Sequence, residues 1–339
     1  MKRILITGGA GFIGSHFVKY QFKNYPEVHV VNLDKLTYAG NPDNLLGVDA
    51  SRYTFVKADI ADADAVAAAM EGCDAVVNFA AETHVDRSII GASQFIDTDV
   101  RGVYNIVEAA RKMGTRRVLL VSTDEVYGSI DVGSFKETDP INPRNPYSAS
   151  KAGGELIGRA YFHTFNVPVI VTRGSNTYGS HQYPEKVLPL FATNAIDNLP
   201  LPLYKGGEHN VRDWLYVEDH CSGIDCALRH GAPGEIYNVS GANERENIVL
   251  TRRILELTGC GEDLIKLVPD RPGHDRRYSI DSTKLMALGW VPKMDWDQGI
   301  SLTVQWYKEN ESWWRRIKTG EYLEYYKRQY EDRRPLGNS

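Results

Sequence analysis

Through the first half of the chain, short apolar runs alternate with longer segments in which apolar residues recur every three or four positions. The runs 4–7, 29–34, 53–57, 75–80, 118–122 and 167–172 have the length and composition of buried strands. The segments between them, such as 95–113 and 149–165, have helical spacing and length. Strands and helices taking turns in this way predict an α/β protein with a doubly wound parallel sheet, covered by helices on both faces. Ligands of such sheets bind beyond the C-terminal ends of the strands, so candidate chemistry is sought there. After Arg173 the rhythm loosens. Pro, Gly and polar residues crowd 183–189, 199–207 and 270–275, and shorter helices are expected. The chain therefore divides into a region 1–173 and a smaller, loop-rich α/β region 174–339, some of whose segments return to the first sheet. From Trp306 the tail is aromatic, with Trp313, Trp314, Tyr322, Tyr325, Tyr326 and Tyr330, and a packed terminal helix is the simplest expectation.

Composition narrows the class further. The 339 residues are 42% hydrophobic and 24% charged, as in an ordinary globular chain, and the net charge is −5 without a long like-charge block. Sequence-independent binding of nucleic acid, which needs concentrated positive charge, is not expected. A small partner carrying a few phosphates remains compatible with local Arg and Lys. The four cysteines form no Cys-x-x-Cys pair, so neither a disulfide framework nor a metal site is expected. The apolar run at the N-terminus is three residues, too short for a signal peptide, and no stretch approaches the roughly 18 apolar residues of a membrane span. A cytoplasmic protein without a membrane partner is expected.

Thr7-Gly8-Gly9-Ala10-Gly11-Phe12-Ile13-Gly14 follows the first run and opens a helix. Glycines at 8, 11 and 14 suit a tight turn that brings backbone N–H groups against a pyrophosphate at a helix N-terminus. Asp34 stands at the end of the second run, 20 residues beyond Gly14. A carboxylate there accepts the ribose hydroxyls of NAD and repels the 2′-phosphate of NADP, although Lys35 beside it softens that discrimination. Asp59 and Ile60 follow the third run and are placed near the adenine. With Phe12, Ile13, Thr37, Ala80 and Ala81 they complete the lining expected of a Rossmann-type NAD site.

Tyr147 and Lys151 are four residues apart, on one face of a helix that starts after Asn145-Pro146. A free tyrosine is a poor base at neutral pH; a nearby ammonium and the charge of oxidised nicotinamide are expected to lower its pKa. It then takes a proton from a sugar hydroxyl during oxidation. With the glycine turn, this pair makes the chain resemble the extended short-chain dehydrogenase/reductase family over nearly its whole length. The resemblance implies a third catalytic residue, a Ser or Thr at the end of the fourth strand, and Thr123 occupies that place.

Thr123 is followed by Asp124 and Glu125, where sugar epimerases of the family carry small or uncharged residues. Two carboxyls beside the oxidation site suit loss of water from a sugar: once C4 is a ketone, one removes the C5 proton and the other protonates the leaving C6 hydroxyl. The segment is similar to that of the family's 4,6-dehydratases, above all those acting on dTDP-glucose. That likeness implies Glu125 as the base, Asp124 as the acid kept protonated by burial and like-charge repulsion, and return of hydride to C6. It also implies a nucleotide-sugar site formed by His84, Ser88, Asn176, Glu185, Lys186, Arg212, Asn247, Arg276 and Tyr278, and a homodimer formed through segments 95–113 and 149–165. Asp99, Gly174, Thr177 and Ser180 depart from the pattern, where Asn, Cys, Asn and Pro are customary. Thr177 and Ser180 are expected to influence sugar or base preference. A 4-epimerase or uronic-acid decarboxylase of the same fold is the nearest alternative, and a non-catalytic dinucleotide sensor the remote one. The acid pair weighs against an epimerase. No basic group is identified for a decarboxylase, and a sensor has no need of Thr123, Tyr147 and Lys151 together.

Overall fold

A computed structural model describes residues 1–331. Six strands of the first region, β1 (Arg3–Thr7), β2 (His29–Asp34), β3 (Tyr53–Lys57), β4 (Ala75–Asn78), β5 (Arg117–Thr123) and β6 (Val169–Gly174), lie parallel. The short strand β7 (Asn176–Tyr178) follows them, then β8 (Leu201–Tyr204), β9 (Val211–Tyr216) and β10 (Ile236–Val239). β10 pairs with β6 and completes a seven-stranded sheet of order β10-β6-β5-β4-β1-β2-β3. The strand order reverses between β1 and β4, which opens a crevice at their C-terminal ends.

Alternation along the strands explains the two cores. Ile4, Ile6, Leu119 and Val121 enter one apolar cluster, while Leu5, Val118 and Leu120 enter the other. Successive side chains of a strand point to opposite faces, and both faces are covered by helices. A third cluster joins Phe191, Trp214, Leu250 and Ile254 to Trp296, Tyr307, Trp313 and Trp314. It lies under two small sheets, one formed by β7, β9 and β11 (Glu244–Glu246), the other by β8 and β12 (Ile265–Val268). Among the described residues no helix is long and apolar enough to cross a membrane.

Four expectations require adjustment. Thr123 ends the fifth strand in chain order, not the fourth. The segment 199–207 contains β8, because parallel pairing with the distant β12 supplies hydrogen bonds that local composition does not reveal. Helices beyond Arg173 are not uniformly short: Val217–His230 and Trp296–Glu309 each have 14 residues, whereas Thr283–Met286, Glu311–Ile317 and Glu321–Tyr326 have 4 to 7. The predicted helix 95–113 is interrupted by a π turn, Ile96–Gly102, before the α-helix Val103–Met113.

The long helix Pro146–Phe165 begins three residues before its predicted start. Asn145 and Ser148 cap it reciprocally, and Pro146 fits a first-turn position that needs no N–H donor. Glu155 on its inner face forms a buried, two-pronged ion pair with Arg173 of β6, at 2.6 and 3.0 Å. The Arg173 guanidinium also lies 4.5 Å above the Tyr127 ring. Glu155→Leu is expected to cost about 3–5 kcal/mol, because it strands a buried guanidinium, and Arg173→Met in the same chain should restore most of that loss. Urea unfolding of the three proteins checks this; equal losses in the single and double variants would contradict it.

Candidate active site

A deep cavity runs along the C-terminal ends of β1, β2, β4, β5 and β6. Its first half is built by the glycine turn. Gly8 has φ +70°, and a Cβ there would sit 2.6 Å from the Ala80 nitrogen; one on Gly14 would sit 2.2 Å from the Gly8 oxygen. Only glycine allows this turn to close against the helix that follows. Asp34 accepts hydrogen bonds from the N–H groups of Ala10 (2.9 Å) and Leu36 (2.8 Å), which hold its carboxylate at the cavity edge. Lys35 is turned to Asp59 at 2.6 Å. Gly8, Gly11, Phe12, Ile13, Gly14, Asp34, Lys35, Thr37, Asp59, Ile60, Ala80 and Ala81 all line this cavity. A glycine cradle with free N–H groups at a helix start, an acid at the next strand end and an apolar floor fit a dinucleotide.

The same cavity brings together Thr123, Asp124, Glu125, Tyr147 and Lys151. Thr123 ends β5; its hydroxyl accepts from the Glu125 N–H (3.3 Å) and donates to Asp124 (3.2 Å). Asp124 is buried, and its second oxygen has no partner. Burial, then the carboxylates of Glu125 and Asp213, push its pKa well above the usual range. Burial and like charge thus favour its protonated form. One Glu125 oxygen is likewise buried without a partner, so the two acids are adjacent, poorly solvated and aimed into the cavity.

Tyr147 differs from expectation. Its pKa is raised, not lowered: burial dominates, Glu125 and Asp99 add to it, and the Thr123 hydroxyl opposes them. The Lys151 ammonium donates one of its three N–H groups to the Val121 carbonyl at 2.8 Å. Burial thus favours the neutral phenol of Tyr147.

A second cavity adjoins the first. Glu125, Asn176, Glu185 and Lys186 line both, whereas His84, Arg212 and Asn247 line only the second. Lys186 donates to the Thr83 carbonyl (3.3 Å), and Glu185 holds Arg87 at 2.8 Å. The remaining nominated residues stand outside the lining. Ser88 is buried and bonded to the Val85 carbonyl. Arg276 is exposed. Tyr278 lies under the Arg212 guanidinium, 4.4 Å from ring centre to carbon, and bonds Asp275. Beside Arg212, the arginine that lines the cavity is Arg271, at one end of a segment whose other end supplied Arg276. His274, Tyr204, Tyr330 and, in the first cavity, His220 and Tyr38 were also not foreseen. Of these, only Arg271 and His274 sit beside a recognisable run, Asp270-Arg271-Pro272-Gly273-His274.

The fold, the dinucleotide cradle and the Thr–Tyr–Lys set define a short-chain dehydrogenase/reductase. The model of the GDP-mannose 4,6 dehydratase family matches residues 5–303, and the chain belongs to that family. It is 46% identical over 323 residues to a dTDP-glucose 4,6-dehydratase of Streptomyces niveus, covering 94% of this chain and 96% of that one. It is 48% identical over 305 residues to the low-salt glycan biosynthesis protein Agl12 of Haloferax volcanii, covering 90% and 98%. The crystal structure of DesIV, a dTDP-glucose 4,6-dehydratase from Streptomyces venezuelae with NAD and TYD bound, superposes with a TM-score of 0.91 at 49% identity, covering 93% of this chain and 100% of that one.

Asp99, one of the departures, is buried in the π turn beneath this site. Its carboxylate accepts from the Ser150 hydroxyl (2.7 Å) and the Glu82 N–H (3.1 Å). Burial raises its pKa to about 6, against the opposing charge of Lys151. A folded-state pKa above the unfolded one contributes stability that is complete below about pH 4 and is lost as pH rises through about 6. Asp99→Asn removes that dependence. Relative to the parent, the variant should gain about 2 kcal/mol between about pH 4.5 and 7.5. Urea unfolding at the two pH values tests this, and a constant difference between the proteins would refute it.

Proposed function

We propose that this chain removes water from dTDP-glucose to give a 4-keto-6-deoxy sugar nucleotide, as an NAD-dependent nucleotide-sugar 4,6-dehydratase. The observation that carries the reading is the Asp124–Glu125 pair, Asp124 buried and Glu125 half-buried, in the same cavity as Thr123, Tyr147 and Lys151. A hydro-lyase needs a proton acceptor and a proton donor side by side at the reacting carbons, which oxidation or 4-epimerisation alone does not.

The cofactor is NAD, held by the glycine turn, with Asp34 placed for its ribose; bound there, it supplies reversible hydride storage, so the sugar undergoes no net change of oxidation state. Tyr147 takes the proton of the C4 hydroxyl, and Thr123 orients that oxygen. Lys151, fixed to the Val121 carbonyl, supports the tyrosine from one helical turn away. Glu125 takes the C5 proton, made acidic by the C4 ketone, and Asp124 gives its proton to the departing C6 hydroxyl. Lys186, Arg212 and Arg271 offset the diphosphate charge, the arginines through planar, directional contacts. In this reading, residues 1–173 hold NAD and the proton-transfer groups, and 174–339 mainly the sugar nucleotide.

We further infer a cytoplasmic homodimer. Ile96, Tyr104, Leu156 and Phe165 are half or nearly half exposed on the outward faces of the π turn and the two helices behind the site. Apolar faces of this kind pair readily about a twofold axis. Leu156→Glu should shift the protein to monomer in light scattering after gel filtration; an unchanged mass would remove this surface from the interface.

Incubation with dTDP-glucose in deuterated water should give a product short of one water and carrying one deuterium at C5, read by mass spectrometry. Conversion to dTDP-galactose without dehydration would sink the assignment. Glu125→Gln should retain NAD but lower turnover roughly 100- to 10,000-fold, with little exchange at C5. Tyr147→Phe should abolish the NADH absorbance that follows mixing with substrate, and a full-speed burst there would contradict its role.

A further inference from the structure

The family match ends at residue 303, yet the chain beyond it returns to the substrate cavity. After the helix Glu311–Ile317, residues 321–330 run along the outside of the segments that carry His84, Arg87 and Lys186. Each turn of this segment makes a specific contact. The Tyr322 hydroxyl donates to the Pro184 carbonyl at 2.9 Å, close to Glu185 and Lys186. Tyr325 bonds the His84 ring nitrogen at 3.2 Å, and its own ring lies 4.3 Å from the Arg87 guanidinium. Arg87 is thereby clamped between Tyr325 and Tyr38, whose ring is 3.9 Å away on the other side. Gln329 donates to the Tyr204 hydroxyl at 2.9 Å.

Tyr330 then lines the second cavity itself. Its ring centre lies 6.4 Å from that of Tyr204, which in turn meets His274 edge-on at 5.6 Å. This aromatic group lines the second cavity with Arg212, Arg271 and Asn247, and none of these residues lines the first. The reacting end is marked by Glu125, Asn176 and Lys186, which the two cavities share. An aromatic face beside guanidinium groups suits a nucleoside diphosphate, whose base and ribose are flat or apolar and whose phosphates are charged.

We propose that residues 321–330 are a built part of the substrate site, with the Tyr330 ring packed against the nucleoside of the bound sugar nucleotide. This rests on the nucleotide-sugar reading of the site. The segment acts on affinity and not on proton transfer, because none of its side chains reaches the cavity shared with Thr123, Tyr147 and Lys151.

The test uses the full chain with Tyr330→Ala and Tyr330→Phe, NAD content and thermal unfolding serving as controls for folding. Loss of an aromatic contact to a base is expected to raise KM for dTDP-glucose and the calorimetric Kd for dTDP roughly tenfold in the alanine variant. kcat should stay within about twofold, and phenylalanine should behave as the parent. Unchanged KM and Kd in a folded alanine variant overturn the proposal, as does a fall in kcat alone. If the parent ignores dTDP-glucose, the functional reading fails first. The same comparison is then made with whichever of UDP or GDP binds the parent, and binding of neither overturns both.

Discussion

The site depends on how closely the long helix Pro146–Phe165 is pressed against its neighbours. A Cβ on Gly154 would lie 2.4 Å from the Asp99 carbonyl, and one on Gly158 would lie 2.5 Å from Leu120. Backbone can approach that closely only where no side chain intervenes, and the Arg173–Glu155 pair then fixes the helix along β6. The consequence falls one to two turns earlier. Tyr147 in the first turn and Lys151 in the second are delivered over the end of β5, where Thr123 and the two acids emerge. Proton transfer tolerates little error in such distances, so helix packing some 10 Å away has catalytic meaning.

Charge is distributed unevenly along the joined cavities. Asp99, Asp124, Glu125 and Glu82 gather at the reacting end, Lys186 stands where the two cavities meet, and Arg212 and Arg271 line only the second. Burial, reinforced by the neighbouring carboxylates, favours the protonated form of Asp124 and the neutral phenol of Tyr147. The cations oppose burial costs of their own. Desolvation lowers the pKa of Lys186, and the nearby charges of Glu185 and Glu125 support its charged form.

What was legible in the sequence is what is local. The glycine turn, Asp34, the Thr123–Glu125 run and the Tyr147–Lys151 spacing each carry their chemistry within a few residues, and the strands 29–34 and 53–57 appear with the predicted limits. The substrate cavity is different. Its walls come from segments separated by more than a hundred residues, so Arg271 and Arg276 look equivalent in the chain although only Arg271 lines the cavity. The aromatic tail carries two signals that composition cannot separate: Trp313 and Trp314 fill a core, whereas Tyr325 and Tyr330 reach the site. The π turn has no sequence mark comparable to a proline, and only packing explains it. A Cβ on Gly102 within it would strike the Ile60 side chain at 2.4 Å.

The remaining departures are best understood together. Gly174, Thr177 and Ser180 looked like separate adjustments near the substrate loop, yet each meets a histidine ring. A Cβ on Gly174 would lie 2.5 Å from His220 Nε2. The Thr177 hydroxyl lies 3.1 Å from the Ser175 carbonyl and 2.8 Å from His220 Nδ1, within hydrogen-bond reach of both. Burial favours the neutral ring, lowering its pKa to about 3. Ser180 meets His16 in the same way, through its carbonyl at 3.0 Å and its hydroxyl at 3.2 Å, and that ring too is held neutral, at about 4. The three positions are therefore grouped around two neutral imidazoles. Gly174, Thr177 and His220 line the first cavity together, whereas Ser180 and His16 stand outside its lining.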